Sequence, residues 1–230
     1  MPSDAAFQRT LRAFHADVVG CSACPRLAAY RTAIGDASYW NRPVPSFGDP
    51  RARLVIIGLA PGAHGANRTG RPFTGDYAGD WLYRALFEFG FASRQESESR
   101  DDDLVLRDAW ITNAVRCVPP ENKPATDEVK RCAPFLVREF ELLADAACVL
   151  ALGKTAHDAF LGFAATRSPT KLRRASFPFG HGRRHDLGPG LPLLVDSYHC
   201  SRYNTSTRVL TWDMFTDVFK ALRTILPAEG

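Results

Sequence analysis

Four short apolar runs set the strongest limit on the fold of this 230-residue chain. They read RLVIIGLA from Arg53, AWITNAV from Ala109, CVLALG from Cys148 and LPLLVDSYH from Leu191. Their near-continuous Val, Ile and Leu content is typical of strands that are covered on both faces. Helix-type patterns separate the runs, and strands that alternate with helices form a largely parallel sheet.

The alternation predicts a single three-layer α/β/α domain over residues 1–230, built on a central, largely parallel four-stranded sheet. Apolar spacing predicts helices at 5–20, 79–90, 127–143 with a cap at Thr126, 154–161 and 207–226. Residues 25–50, within a cysteine-bearing N-terminal segment of about 15–50, predict an irregular wrap rich in Pro, Gly and aromatics. Residues 93–103 predict a charged, exposed loop, and residues 164–190 predict loop with a short hairpin.

Composition excludes several classes of protein. No apolar run approaches the roughly 18 residues of a membrane helix, and the N-terminus lacks the apolar core of a signal peptide. We therefore expect a cytoplasmic monomer with no membrane partner. The net charge of +4 is too small to indicate nucleic-acid binding without other signals.

The ends of the four runs indicate where the functional site lies. They continue into GLAPGAHG, TNAVRCVPP, GKTAH and SYHCSRYN, and ligands of such sheets bind beyond the carboxyl ends of the strands. The first connection, residues 58–78, is much longer than the usual two to six residues. It has neither common nucleotide-binding glycine pattern, so it predicts a functional loop or a plain Ω-loop rather than a nucleotide cofactor site.

Four of the six cysteines have the spacing of metal ligands. Cys21 and Cys24 form a C-x-x-C pair, and Cys117 and Cys132 follow later in the chain. A cytosolic chain favours metal binding over disulfides, and four thiolates suit zinc or an iron–sulfur cluster. Spacing does not separate these two metals, and four unrelated buried thiols are the alternative. Cys148, inside an apolar strand, is interpreted as a core residue.

Three segments resemble one known family. GLAPGAHGANRTGRPFTGD is similar to the first motif of the uracil-DNA glycosylase superfamily, in the form carried by family 5, the type-B enzymes. HCSRYNTSTRVLT (199–211) resembles the second motif, and TNAVRCVPPENKP (112–124) resembles the segment between them. The resemblance implies a DNA glycosylase of base-excision repair that flips uracil out of DNA and hydrolyses its N-glycosidic bond. No lysine lies in the matched motifs to form a Schiff base, which predicts a monofunctional enzyme.

The resemblance also assigns a cofactor. Cys21, Cys24, Cys117 and Cys132 match the four ligands of the [4Fe-4S] cluster found in families 4 and 5, with zinc as the less favoured metal. DNA containing uracil or another damaged base is the implied partner.

Site residues follow from the matched motifs. Phe73 is the aromatic on which the flipped base stacks, Asn113 reads the base edge, and His199 stabilises negative charge on the departing base. A core Phe, a turn-capping Asn and a structural His are the alternatives. The small residues Gly58, Ala60 and Gly62 are predicted to leave room for the base.

Asp76 is the single carboxylate from residue 53 to residue 78. The opening segment of the first motif, residues 58–62, has no polar side chain to handle the attacking water. The resemblance therefore implies that Asp76 positions or deprotonates water, or stabilises the cationic sugar. An N-cap of the following helix is the alternative, and the two roles are compatible.

The basic residues Lys123, Arg183 and Arg184, in loops near the strand ends, are predicted to contact DNA phosphates, with an ordinary charged surface as the alternative. The resemblance implies further contacts from Ser201, Arg202, Tyr203 and Asn204, which lie in a segment similar to the one that enters the minor groove. Arg202 and Tyr203 are the candidates for the side chains that fill the gap in the DNA stack after the base has flipped out. Two positions depart from the family pattern: Cys200 stands for a proline, and Arg208 stands for a glycine.

The apolar opening segment predicts a permissive pocket that accepts hypoxanthine, ethenocytosine, 5-hydroxymethyluracil or thymine opposite guanine as well as uracil. Two other functions compete with the enzyme. One is a non-catalytic binder of damaged or uracil-containing DNA, and the other is a zinc-stapled nucleotide hydrolase.

Overall fold

A computed structural model describes residues 4–228 of the chain. They form a six-stranded sheet whose strands, in chain order, are β1 Phe47–Gly48, β2 Leu54–Gly58, β3 Ala109–Asn113, β4 Cys148–Leu152, β5 Arg184–His185 and β6 Leu193–Ser197. The spatial order is β1-β3-β2-β4-β6-β5. The four inner strands pair in parallel, as predicted, whereas β1 and β5 pair antiparallel at the two edges. The predicted count of four strands is therefore corrected to six, because a two-residue edge strand is too short to show a periodicity.

Eight α-helices connect and cover these strands within the described part of the chain. They are α1 Asp4–Val19, α2 Pro25–Ala33, α3 Ala66–Thr69, α4 Tyr77–Glu88, α5 Thr126–Leu142, α6 Lys154–Arg167, α7 Arg202–Ser206 and α8 Trp212–Ile225. Two 3-10 turns, Pro120–Asn122 and Arg174–Ser176, lie in the connections. No helix within residues 4–228 has the length and apolar character needed to cross a membrane.

The sheet divides the core into two layers, as predicted for the α/β/α class. Along β2, Leu54 and Ile56 belong to the apolar cluster that includes α4 and α8, whereas Val55 and Ile57 belong to the cluster that includes α5 and α6. Successive strand side chains point to opposite faces, so a strand that is covered on both sides is mostly apolar. The buried polar exceptions lie toward the carboxyl ends of β3 and β6 and are Thr112, Asn113, Asp196 and Ser197. Each such side chain contributes about 1.5–3 kcal/mol when it is fully buried.

The C-terminal helix predicted over 207–226 begins later than predicted, since α8 spans Trp212–Ile225. Arg208, inside the predicted range, takes a left-handed backbone with φ of 58°, and the short helix α7 ends before that range, at Ser206. The Thr211 hydroxyl caps α8 by accepting the Met214 N–H at 3.3 Å. The apolar residues Val209 and Leu210 precede the helix, so apolar spacing places its start too early.

The predicted cap of α5 at Thr126 is wrong. Ala125 occupies the cap position, and its N–H donates to the Glu128 carboxylate at 2.7 Å. Glu128 also accepts two hydrogen bonds from Arg26, at 2.8 and 2.6 Å. The carboxylate therefore ties α2 to the start of α5, a contact that local sequence does not reveal.

The segment at 25–50 is less irregular than predicted, since α2 occupies its first part, with Pro25 at a position where a helix needs no N–H. The loop at 93–103 is charged and largely exposed as predicted, but it is anchored. The buried Arg71 guanidinium pairs with Asp102 at 2.6 Å and donates to the Arg100 carbonyl at 2.9 Å. This loop therefore packs over the connection that follows β2.

Candidate active site

A cavity of about 640 Å³ lies beyond the carboxyl ends of β2, β3 and β6. Its lining includes nine of the predicted site residues: Ala60, Gly62, Phe73, Asp76, Asn113, His199, Ser201, Arg202 and Tyr203. It also includes residues that the sequence did not single out: Leu59, Ala63, His64, Gly65, Ala66, Tyr77, Ala78 and Asn122. The fold therefore collects residues from three separate segments at the predicted edge of the sheet.

Asp76 has one oxygen in a helix cap and the other against the loop. Its Oδ1 accepts the Gly79 N–H at 3.0 Å at the start of α4. Its Oδ2 lies so close to Gly62 and Gly65 that a Cβ atom there would approach it to 2.8 and 2.1 Å. Burial raises the pKa of the Asp76 carboxyl, although the Gly79 N–H opposes the rise. A cap and a chemical role are therefore compatible in one side chain.

Phe73 occupies a strained turn that a neighbouring helix supports. Its φ of 52° is in the left-handed region, which costs a non-glycine residue roughly 1–2 kcal/mol. The buried Tyr83 hydroxyl of α4 donates to the Pro72 carbonyl at 2.9 Å and fixes the turn. The Phe73 ring lies against the His199 ring, with centroids 5.9 Å apart and planes 27° apart. Strain held by buried contacts is common where a side chain must face a ligand.

Asn113, the last residue of β3, carries a buried acceptor with no protein partner: its Oδ1 has no hydrogen bond within residues 4–228. Gly58 is required beside it, because a Cβ at Gly58 would lie 2.4 Å from that oxygen and 2.6 Å from the Phe73 ring. A buried, unpaired amide oxygen is costly, so its presence in a cavity wall indicates a ligand that supplies an N–H.

His199 follows β6 and is neutral over the physiological range. Burial lowers the pKa of its imidazole to about 4. The Asn204 side chain donates to the His199 carbonyl at 2.8 Å, so Asn204 holds the backbone of this residue and does not line the cavity. A neutral imidazole still has one N–H to donate to a ligand.

The mouth of the cavity carries exposed side chains of α7. Tyr203 is 75% exposed, and the Arg202 guanidinium lies 4.9 Å above the Tyr77 ring. The Tyr77 hydroxyl is 3.1 Å from the Thr205 hydroxyl. The Ser201 hydroxyl caps α7 by accepting the Asn204 N–H at 3.4 Å. These contacts fix the backbone of α7, which presents the Tyr203 ring to solvent.

The other predicted DNA contacts lie outside this cavity. Lys123 lines a neighbouring cavity of about 630 Å³, which shares Leu59 and Asn122 with the first. Arg183 and Arg184 are exposed at the sheet edge formed by β5.

Three lining residues had little signal in the sequence. Glu121 and Asn122 are consecutive residues with φ of 53° and 56°, a backbone that brings Asn122 to the cavity. His64 reaches the cavity with its Nδ1 3.0 Å from the hydroxyl of Tyr39 in the N-terminal segment. Tyr77 is the first residue of α4. Asn adopts the left-handed conformation more readily than most residues, so Asn122 is the one of these three residues with a local sequence signal.

Cys21, Cys24, Cys117 and Cys132 come together as predicted. They line one small cavity between α2, the segment after β3 and α5, and none forms a disulfide. The Arg31 guanidinium donates to the Cys117 sulfur at 3.1 Å, and the Arg116 N–H donates to the Cys132 sulfur at 3.3 Å. The Arg31 Nε is buried without a protein partner. Four thiols with N–H donors and an orphaned guanidinium nitrogen fit an anionic inorganic group.

The two remaining cysteines and the second motif departure are also explained. Cys148 is fully buried in β4, as predicted. Cys200 is fully buried, and its thiol donates to the Ala78 carbonyl at 3.3 Å, which replaces the rigidity of a proline with a hydrogen bond. Arg208 has the positive φ expected at a glycine position.

Comparison with known proteins identifies the family of the chain. The family model described as "Uracil DNA glycosylase superfamily" matches residues 45–223. The Type-5 uracil-DNA glycosylase of Thermus thermophilus is 46% identical over 213 residues, which is 90% of this chain and 94% of that protein. The protein of the same name from Mycobacterium tuberculosis is 42% identical over 218 residues, 91% of this chain and 79% of that protein. A Type-4 uracil-DNA glycosylase of Pyrobaculum aerophilum is 33% identical over 134 residues, 58% of this chain and 56% of that protein.

Proposed function

This chain belongs to the uracil-DNA glycosylase superfamily, in its type-5 branch, and on that premise we propose that it removes uracil from DNA by hydrolysing the N-glycosidic bond. The observation that carries the proposal is the buried, unpartnered Oδ1 of Asn113 in the cavity wall. The N3–H of uracil is the donor that this oxygen needs, and the Asn113 amide N–H can donate to the adjacent uracil carbonyl. Cytosine has no N3–H and leaves the oxygen unpaired, which discriminates against the normal base.

Entry to the cavity requires the base to leave the duplex. The flipped base stacks on Phe73, and base–aromatic stacking contributes about 1–3 kcal/mol. Tyr203, which is 75% exposed at the mouth, enters the gap that the base leaves, with Arg202 beside it. Lys123, Arg183 and Arg184 contact phosphates outside the cavity. These roles account for the aromatic, polar and basic residues that surround the site.

The N-glycosidic bond breaks so that its electron pair leaves with the base. The electrons of the C1′–N1 bond move to the uracil ring, and His199 donates its imidazole N–H to the O2 atom, where the negative charge develops. The sugar acquires cationic character, which the Asp76 carboxylate stabilises. Water adds its oxygen to C1′, and its proton passes to Asp76 and then to the departing base.

The loop glycines define the space for these steps. Gly62 and Gly65 leave the Asp76 Oδ2 atom accessible from the cavity, since a Cβ at either position would collide with it. No polar side chain from residues 58–62 competes for the water. The same apolar wall and the cavity of about 640 Å³ favour a broad base range that includes hypoxanthine, 5-hydroxymethyluracil and thymine opposite guanine, each of which has a ring N–H for the Asn113 Oδ1. Ethenocytosine has no such N–H, so its removal would depend on stacking against Phe73 and on the room in the cavity.

Cys21, Cys24, Cys117 and Cys132, which gather in one small cavity, would hold a [4Fe-4S] cluster, with zinc as the less favoured metal. When bound, such a cluster would cross-link α2 and α5 covalently. It would take no part in base removal. Iron and sulfide analysis with an absorption spectrum tests this assignment. About four irons per chain and a band near 400 nm are expected. One zinc per chain without colour contradicts the cluster.

A single assay decides between the enzyme and its alternative. The purified protein is incubated with a labelled duplex that contains one uracil opposite guanine, then treated with alkali to cut abasic sites. Strand cleavage that depends on the uracil supports the proposal. The apolar segment at 58–62 favours a non-catalytic binder of damaged DNA as the second candidate. Tight binding to the uracil duplex without cleavage establishes that second function instead.

A further inference from the structure

A buried polar network lies beside the site and is not used in the reaction above. Its centre is Asp196 of β6, fully buried three residues before His199. One carboxylate oxygen is 2.8 Å from His157 Nδ1, and the other is 3.0 Å from His185 Nε2. Each imidazole faces its own oxygen, an arrangement of hydrogen bonds and not of ligands that share one metal ion.

His157 joins this network to the segment that precedes β5. Its Nε2 lies 2.9 Å from the Phe177 carbonyl, and its Nδ1 lies 2.8 Å from the Asp196 carboxyl group. A fully buried carboxyl group that is hydrogen-bonded through both oxygens is costly to disrupt, so it holds its neighbours in one geometry.

The residues held by Asp196 flank a third histidine. The Gly180 N–H donates to the Asp196 carboxylate at 3.2 Å, and the Gly182 N–H donates to the Asp196 carbonyl at 2.8 Å. His181 lies between these two glycines. Asp196 therefore sets the position of His181 from both sides.

His181 in turn contacts the segment that leads to His199. Its Nδ1 accepts the Tyr198 N–H at 3.1 Å, and its Nε2 is 3.3 Å from the Met214 carbonyl of α8. The rings of His181 and Tyr198 are stacked with centroids 5.0 Å apart. The carbonyl of Met214 requires a proton on Nε2, which leaves Nδ1 as the acceptor of a neutral ring.

We propose that His181, held by Asp196, is a positioning residue that fixes the backbone in front of His199 and aims its imidazole at the base. The proposal rests on the proposed glycosylase activity. His181 touches neither the base nor the water; it acts through the Tyr198 N–H, one residue from His199. Misplacement of a reacting group by about 1 Å from a remote change costs about 100-fold in rate.

Protonation of His181 would oppose this contact, because an Nδ1–H would face the Tyr198 N–H. Burial lowers the pKa of His181 from 6.5, whereas the Met214 carbonyl and Asp217 of α8 oppose that shift. From β6, the Ser197 hydroxyl is 3.4 Å from Nδ1, and the Asp196 carboxylate is engaged by His157 and His185. The hydrogen bond from the Tyr198 N–H to the His181 Nδ1 is therefore intact at neutral pH and is lost at pH values below 6.5.

Two variants separate the effect of the hydrogen bond that His181 accepts from the effect of the volume of its ring. The Oδ1 of His181→Asn occupies the place of Nδ1 and accepts the same N–H without titrating, whereas His181→Phe keeps a ring and removes the acceptor. The single-turnover rate and the DNA dissociation constant are measured from pH 5 to 9 on a uracil duplex. His15→Phe is the matched control, a half-buried histidine of α1 whose Nε2 is 3.2 Å from the Ser46 hydroxyl.

We expect His181→Asn and His15→Phe to cleave within about threefold of wild type at pH 8, and His181→Phe to lose about 10- to 100-fold in rate with little change in DNA affinity. Below pH 6.5 the wild-type rate should fall more steeply than that of His181→Asn. Equal rates for His181→Phe and wild type, or equal losses in both His181 variants, overturn the proposal.

Amide hydrogen exchange supplies a readout that does not depend on activity. Exchange at the Tyr198 and His199 amides should be faster in His181→Phe than in His181→Asn or His15→Phe. If wild type cleaves no uracil duplex, the glycosylase assignment fails by itself. Unchanged exchange at the Tyr198 and His199 amides of His181→Phe contradicts the positioning role, whatever the activity.

Discussion

Replacement of Asp76 by Asn separates its two roles. The Asn side chain keeps the Oδ1 that accepts the Gly79 N–H at 3.0 Å, so α4 keeps its cap. The other oxygen, which lies against Gly62 and Gly65, becomes an uncharged NH2 group. Because burial already raises the pKa of this carboxyl, the folded state tolerates a neutral group there. The free energy of unfolding should change by less than about 1 kcal/mol.

The loss of charge should affect the reaction strongly. A carboxylate about 4 Å from a cationic sugar contributes about 4 kcal/mol at an effective dielectric constant of about 20. Retention of the water by the Asn amide recovers part of this energy, so a net loss of about 3 kcal/mol is expected. Since about 1.4 kcal/mol corresponds to a tenfold change, the single-turnover rate should fall by about 100- to 1,000-fold.

The assay is alkaline cleavage after a single turnover on uracil, hypoxanthine and ethenocytosine opposite guanine, with melting temperature measured on the same samples. Asp76→Ala is the matched control: it should lose a similar rate and also about 1 kcal/mol of stability, because it lacks the cap. If Asp76→Asn keeps a rate within about threefold of wild type on every base, the carboxylate is only a helix cap.

Three further perturbations test the structure. Gly65→Ala places a Cβ 2.1 Å from the Asp76 Oδ2 atom, so the rate should fall by at least about tenfold even if the melting temperature stays within a few degrees; an unchanged rate contradicts the contact. Arg208→Gly relieves the φ of 58° at an exposed position and should raise stability by about 0.5–1 kcal/mol, measured by urea unfolding. His199 has a pKa lowered by burial to about 4, so the unfolded state binds its proton first as pH falls below 6.5, and stability is lost in that window. His199→Gln should therefore reduce the acid loss between pH 8 and pH 5 by about 2 kcal/mol, and an unchanged pH profile of the melting temperature refutes the burial argument.

The parallel core of the sheet was predictable because its signal is local. A strand buried on both faces is apolar at successive positions, and this holds throughout β2 and β4 and over the first three residues of β3 and β6. The site was predictable for a related reason. Parallel strands bring their carboxyl ends to one edge, so Asn113 and His199 were expected to meet before any distance was known.

Other features depend on contacts between distant segments. The edge strands β1 and β5 have two residues each, and their pairing comes from the neighbouring strand. The left-handed backbone at Arg208 is invisible to apolar spacing, since Val209 and Leu210 continue the apolar pattern up to the start of α8. Asn122 enters the cavity through two left-handed residues, a backbone choice that no periodicity encodes.

Sequence patterns alone predict the α/β class, the four inner strands and the gathering of four cysteines, and the motif resemblance points to the residues of the candidate site. Local patterns carry this information because periodicity and motif spacing are properties of neighbouring residues. The division of the Asp76 oxygens between a helix cap and the cavity, and the unpaired acceptor of Asn113, are visible only in the folded chain. The same is true of the contact by which His181 supports the backbone before His199. These features arise from atoms brought within about 3 Å across long sequence separations, where packing and not local preference fixes the geometry.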